Sequence, residues 1–190
     1  MDYFEIKEKV RKMLPEKRFT HSQATADTAE ELAEHYGASA EKAKLAGILH
    51  DCAKEYDREK SIEVFKKFGL VIDDISLNNP NLLHGPVGAC MAQYEMGIVD
   101  PEILDAIWFH TTAKSNMNIL TKVIYIADKI EPNRKFEGVE DLRKLAFEDI
   151  DSAIIAALGR FTIRNMKKGK LIHPDSIHAR NYLLMSNRSD

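Results

Sequence analysis

Several things are scarce in this chain of 190 residues. It has two cysteines, Cys52 and Cys90, with no Cys-x-x-Cys pair and no pairing framework. That excludes a disulfide scaffold and predicts a reducing, cytoplasmic setting. Nine glycines and six prolines form no linker, repeat or low-complexity tract. The longest unbroken apolar run, Ala153 to Leu158, is six residues, far below the roughly 20 a membrane helix needs. The opening Met1-Asp2-Tyr3-Phe4-Glu5 is acidic and has no apolar core, so no secretory leader is expected. Neither charge dominates: 27 Lys and Arg stand against 30 Asp and Glu, with net charge -3. No nucleic-acid or membrane partner is expected from that balance. Strand alternation and hairpin signals are almost absent.

What remains is helical periodicity. Asp2 to Leu14 is amphipathic and stops at Pro15, and Arg18 to Tyr36 stops at Gly37. Ser39 can cap a helix through Leu49, and Asp57 one over Arg58 to Phe68. Leu70 to Asn81 is irregular, with room for a short helical turn. Helical patterns resume over His84–Met96, from Asp100-Pro101 to about Thr112, and over Asn118–Ile130. Gly138–Phe147, Asp149–Lys168 and Pro174–Met185 complete the set. The expected fold is one all-α domain over residues 1–190, of about eight to ten helices.

Polar residues sit on inward faces of these helices. His50-Asp51 closes the third helix, and His50 shares a face with Ala43, Ala46 and Gly47. Seven His and fourteen Asp in 190 residues give about half a His-Asp dipeptide by chance, so the pair gains meaning from its context. His110 lies on the apolar stripe of Ile103 and Ile107. Asp128 falls within Val123-Ile124-Tyr125-Ile126-Ala127-Asp128, where an unpaired carboxylate costs several kcal/mol. His21 shares a face with Thr25, Thr28 and Leu32, and His84 precedes Gly85-Pro86. Four His and two Asp so placed look like a metal site, and imidazole with carboxylate suits Fe, Mn or Zn. Six ligands exceed what one catalytic zinc takes, which points to two metals.

The order His21, His50-Asp51, His84, His110, Asp128 resembles the HD-domain metal-dependent phosphohydrolases, in the variant with two further His. Five stretches are closer still to the symmetrical diadenosine tetraphosphate hydrolases of the YqeK type. They are Lys17–Ser22, Gly47–Lys54, Leu83–Ala89, Ile107–Thr112 and Tyr125–Arg134. The likeness runs from about residue 10 to about residue 185, and Ala113 departs from it, since Gly is expected there.

This resemblance implies that His21, His50, Asp51 and Asp128 hold one divalent metal. It implies that His84 and His110 hold a second, with Asp51 bridging. Iron is the implied metal, and the donors also suit Mn. A dinucleoside polyphosphate is the implied substrate, cut by a metal-bridging hydroxide at an inner phosphorus to give two nucleoside diphosphates. Asp51, Lys54 and Arg134 are the expected catalytic residues. Arg18, Lys54, Thr111, Thr112 and Arg134 are expected to contact the phosphates, and Glu131 to orient a ligand His. Trp108 and Phe109 adjoin His110, with core packing favoured over a nucleobase pocket. Two other readings stay open on the residues: another HD-type nucleotide phosphohydrolase or phosphodiesterase, and a non-enzymatic helical binding module. A homodimer is also left open.

Overall fold

The computed structural model describes residues 1–187. Among them the chain is helical throughout, without strands. The helices are α1 (Tyr3–Met13), α2 (Glu16–His35), α3 (Ala40–Leu49), α4 (Arg58–Lys67), α5 (Asp74–Asn78), α6 (His84–Met96), α7 (Pro101–Phe109), α8 (Ile119–Ile130), α9 (Val139–Glu148), α10 (Ile150–Lys167) and α11 (Pro174–Ser186). Ten of them match the stretches read from the sequence. The eleventh, α5, is the short turn in the irregular segment, followed by a 3₁₀ turn at Pro80–Leu82. The C-terminal end of α7 falls short of Thr112: Phe109 is its last residue, and His110 stands as its cap.

Local chemistry sets the boundaries. Asp2 and Glu5 form a reciprocal capping box on α1. Ser39, Asp57, Asp100 and Asn118 each accept a backbone N–H at the start of α3, α4, α7 and α8. Gly37, Gly69 and Gly97 take left-handed backbone just past α2, α4 and α6. None of the described helices is long and apolar enough to cross a membrane.

The central helix is α8. Nine of its residues, from Leu120 to Ile130, are buried, as expected of a helix with apolar residues on nearly every side. It packs against α2, α7 and α10. One very close contact lies between α2 and α3. A Cβ built on Gly47 would stand 2.6 Å from the Ala26 Cα, so only glycine allows these backbones to touch. A second contact of this kind joins α6 and α7, where a Cβ on Gly85 would stand 2.5 Å from the Trp108 carbonyl oxygen. Gly47 is three residues before His50, and Gly85 directly follows His84. The two close approaches therefore bring together His21 with His50, and His84 with His110.

On an exposed helix, Gly to Ala stabilises by about 1 kcal/mol. Gly47→Ala is expected to do the reverse and cost about 1–3 kcal/mol, because the methyl overpacks a backbone contact. Urea unfolding measures this, and an unchanged or higher midpoint would show that α3 can yield.

Candidate active site

The six expected ligands come from five separate segments and meet at one place. His21 lies on α2, His50 caps the C-terminus of α3, and Asp51 follows in the turn. His84 is the first residue of α6, His110 caps α7, and Asp128 lies in the last turn of α8. All six are buried. After His50 the chain continues in tight turns, with Lys54 N donating to the Asp51 carbonyl. This carries the Lys54 ammonium to 3.6 Å from Asp51 Oδ1.

Asp51 divides its carboxylate between two groups. Oδ2 faces His21 Nε2 and His50 Nε2, at 3.8 Å from each. Oδ1 faces His84 Nε2 at 3.0 Å and His110 Nε2 at 3.6 Å. Asp128 Oδ1 closes the first group, 3.0 Å from His21 Nε2 and 3.8 Å from His50 Nε2. Such separations are those of atoms arranged around one ion at bond lengths of roughly 2.0–2.2 Å.

The ring protons make the case stronger. Nδ1 of His50 lies 2.6 Å from the Gly47 carbonyl oxygen, and Nδ1 of His110 lies 2.7 Å from that of Ile107. His84 Nδ1 meets the Asn81 carbonyl in the same way. A carbonyl oxygen only accepts, so each Nδ1 carries a proton, and in the tautomer this leaves to a neutral ring Nε2 turns a bare lone pair inward. His21 is fixed likewise by Glu131, whose Oε1 lies 3.1 Å from Nδ1. Yet His84 Nε2 is 2.9 Å from His110 Nε2, and His50 Nε2 is 3.3 Å from His21 Nε2. Lone pairs brought this close, beside carboxylate oxygens, repel unless positive charge lies among them. The donor set fits divalent metals, with second-layer acceptors on four imidazoles.

Electrostatics agree. Burial lowers the His50 imidazole to about 3 and the His84 imidazole to about 4, so both stay neutral and free to ligate. Burial alone would raise the Asp51 carboxyl; polar neighbours, the Lys54 ammonium among them, overcome it and hold it well below the usual range. Asp128 is held low against the same desolvation by the Lys129 ammonium and the Arg134 guanidinium. Burial also pushes the Cys52 thiol up to about 12, so this neighbour of Asp51 is an inert small residue.

Four cations ring the cluster. Arg18 Nη1 donates to Asp51 Oδ2 at 3.0 Å, and Lys54 Nζ is 3.1 Å from His84 Nε2. Lys129 Nζ donates to Asp128 Oδ2 at 2.5 Å, and Arg134 bonds Asp128 Oδ1. Two cavities open from the cluster and meet at Arg134. One, of about 670 Å³, is lined by Arg18, His21 and Asn133 among others. The other, of about 430 Å³, is lined by Lys54, His84, Thr111 and Lys129 among others. The Thr111 hydroxyl is buried without a hydrogen-bond partner.

Thr112, expected beside the phosphates, lines instead a small cavity of about 110 Å³ together with Trp108 and Phe109. Its carbonyl accepts from the Ser176 hydroxyl and so anchors α11. Trp108 packs against the main core. Ala113 is buried with φ +60°, so the turn where Gly was expected keeps its left-handed backbone at a cost of about 1–2 kcal/mol. Lys129, to which the sequence assigns no contact with substrate, borders the second cavity, as do Phe136 and Phe161, which carry no motif.

The neutral imidazoles fix a pH dependence. The unfolded chain protonates His50 and His84 near pH 6.5, whereas the metal-free folded chain refuses those protons until about pH 3–4. Stability of the chelator-treated protein should therefore fall as pH falls through this window. The expected loss is about 2 kcal/mol for each imidazole between pH 7.5 and pH 5. Urea midpoints at the two pH values test this, and equal midpoints would contradict the buried neutral state.

Known proteins resemble this chain closely. The symmetrical bis(5'-nucleosyl)-tetraphosphatase of Bacillus subtilis is 41% identical over 175 residues, 92% of this chain and 94% of that one. The protein of the same name from Staphylococcus aureus is 37% identical, over 96% of this chain and 94% of its own. A crystal structure from Clostridium acetobutylicum, described as a "predicted HD superfamily hydrolase involved in NAD metabolism", superimposes with a TM-score of 0.96. It shares 42% identity and covers 98% of each chain. The HD domain family matches residues 18–133. That segment begins three residues before His21 and ends five after Asp128, so it encloses the whole convergence, and the chain belongs to the HD-domain family.

Proposed function

We propose that this chain is a metal-dependent hydrolase that cuts diadenosine tetraphosphate symmetrically into two ADP. In this reading residues 1–190 act as one HD-type domain with two divalent cations sharing Asp51. The divided carboxylate carries the proposal, because its two oxygens serve two separate imidazole pairs. The activity is the one named for the Bacillus and Staphylococcus relatives. His21, His50, Asp51 and Asp128 would hold one cation, and Asp51, His84 and His110 the other. Donors of nitrogen and oxygen without thiolate suit iron, and Mn second. When bound, such a pair supplies Lewis acidity toward phosphoryl oxygens and an activated water at neutral pH.

The chain's own side chains bind and orient the substrate. Three buried carboxylates, Asp51, Asp128 and Glu131, stand against Arg18, Lys54, Lys129 and Arg134. Without metal these nearly balance, and with metal the site has surplus positive charge that a polyphosphate neutralises. Lys54, Lys129 and Arg134 then exchange their carboxylate contacts for phosphate oxygens, where charge grows during in-line attack. Arg18 meets the phosphates from the larger cavity. The unpaired Thr111 hydroxyl donates to a further oxygen, and Glu131 holds the His21 proton on Nδ1. The departing ADP is already a good leaving group, so no dedicated general acid is needed. The free, buried state of both cysteines supports a cytoplasmic setting.

The test is chromatography of products from diadenosine tetraphosphate and, because of the Clostridium description, from NAD. Two ADP from the tetraphosphate is expected, and AMP with ATP would contradict the reading. His84→Ala should keep its helical circular dichroism, lose one metal equivalent and drop kcat about a hundredfold or more. A near-normal rate with one metal would rule out the two-cation mechanism.

A further inference from the structure

The two cavities beside the metal ligands differ in the surfaces they offer. The larger one is lined by Lys17, Arg18, Thr20 and Asn133 with other mostly polar groups, and no Phe, Tyr or Trp borders it among the described residues. The second is polar where it meets His84 and Asp128, and aromatic at its far end, where Phe136 and Phe161 line it. From that end a further chamber of about 280 Å³ opens. The chamber shares Lys129, Phe136, Phe161 and Arg164 with the cavity and adds the apolar Leu142 and Ala157.

The backbone explains how these residues meet. Ala153, Ala157, Phe161 and Arg164 recur at four, four and three residues, which is one stripe of α10. The stripe starts in the core at Ala153, which is fully buried, and reaches solvent at Arg164. Phe161 is its half-buried middle. Phe136 lies in the loop between α8 and α9, two residues after Arg134. The Arg160 guanidinium lies over the Phe136 ring, 4.6 Å from its centroid, and holds it in place as a flat surface. Rings and guanidinium groups of this kind bind the face of a nucleobase without selecting its edge.

We propose that Phe136 and Phe161 form the subsite for one nucleobase of the substrate, which the phosphate chain leaves past Lys129 and Arg134 to reach the metal ligands. The other nucleoside half lies in the cavity of Arg18 and Asn133 and is held by polar contacts without stacking. Phe161 is a binding residue: it grips the base and takes no part in the bond broken. Trp108 and Phe109 do not serve this purpose, since their cavity of about 110 Å³ is below the roughly 300 Å³ of small-ligand pockets. The inference rests on the tetraphosphatase reading and adds to it the place where a base is recognised.

Calorimetric titration of the full chain with ADP and with pyrophosphate tests it, because pyrophosphate has no base. Phe161→Ala and Phe161→Leu should lower the ratio of ADP affinity to pyrophosphate affinity about tenfold. Phe161→Tyr, which keeps a flat ring, should leave the ratio within about twofold. Leucine preserves apolar packing, so a shared response of Ala and Leu reports the aromatic face and not a disturbed fold. An unchanged ratio in both, or equal weakening of both ligands, overturns the inference. Product analysis separates this from the reading beneath it. Two ADP from the wild type with an unchanged ratio sinks the nucleobase subsite alone. An intact tetraphosphate with a falling ratio sinks the tetraphosphatase reading and leaves the subsite standing.

Discussion

The structure depends on imidazole lone pairs held face to face around the carboxylate of Asp51. Three of the four histidines use one local device. His50 and His110 cap the ends of α3 and α7, and His84 follows the 3₁₀ turn at Pro80–Leu82. Each gives its Nδ1 proton to the carbonyl three residues earlier. A helix end leaves such carbonyls without a partner. The same bond therefore satisfies the backbone, fixes the tautomer and aims Nε2 at the centre. The resulting convergence is costly in a buried site without cations, and here Arg18, Lys54, Lys129 and Arg134 crowd onto it.

Bringing the histidines together requires backbones to touch, and two glycines permit this. Gly47 lets α3 meet α2 at Ala26, and Gly85 lets α6 meet the Trp108 carbonyl of α7. The buried α8 then presents Asp128 from the side. Stability and ligand geometry are thus linked at the same positions. A methyl group at Gly47 separates α2 from α3 and also His21 from His50.

Much of this is legible in the sequence because its signals are local. A helix pattern that ends on His-Asp, an imidazole on an apolar stripe, and a carboxylate inside Val123–Ile130 each contradict a bland core. The strip of Ala43, Ala46 and Gly47 announces a close neighbour. The aromatic residues are different. Phe161 continues a stripe from the core, so it reads as packing, and its exposure to a cavity depends on where α10 ends relative to the α8–α9 loop. Phe136 belongs to no periodic pattern. Trp108 precedes His110 by two residues, which on a helix points it to the far side, and adjacency in sequence misleads there. Thr111 and Thr112 both border the small cavity beside Trp108, and of the two only Thr111 also reaches the cavity beside His84. Ala113 shows that a turn can keep its left-handed backbone without the glycine that favours it.

The central claim is that one carboxylate serves two cations. Anomalous X-ray diffraction from crystals of the iron- or manganese-loaded chain tests it most directly. The account predicts two peaks roughly 3.5–4 Å apart, one beside each oxygen of Asp51. A single peak, or metal bound away from Asp51, would contradict it.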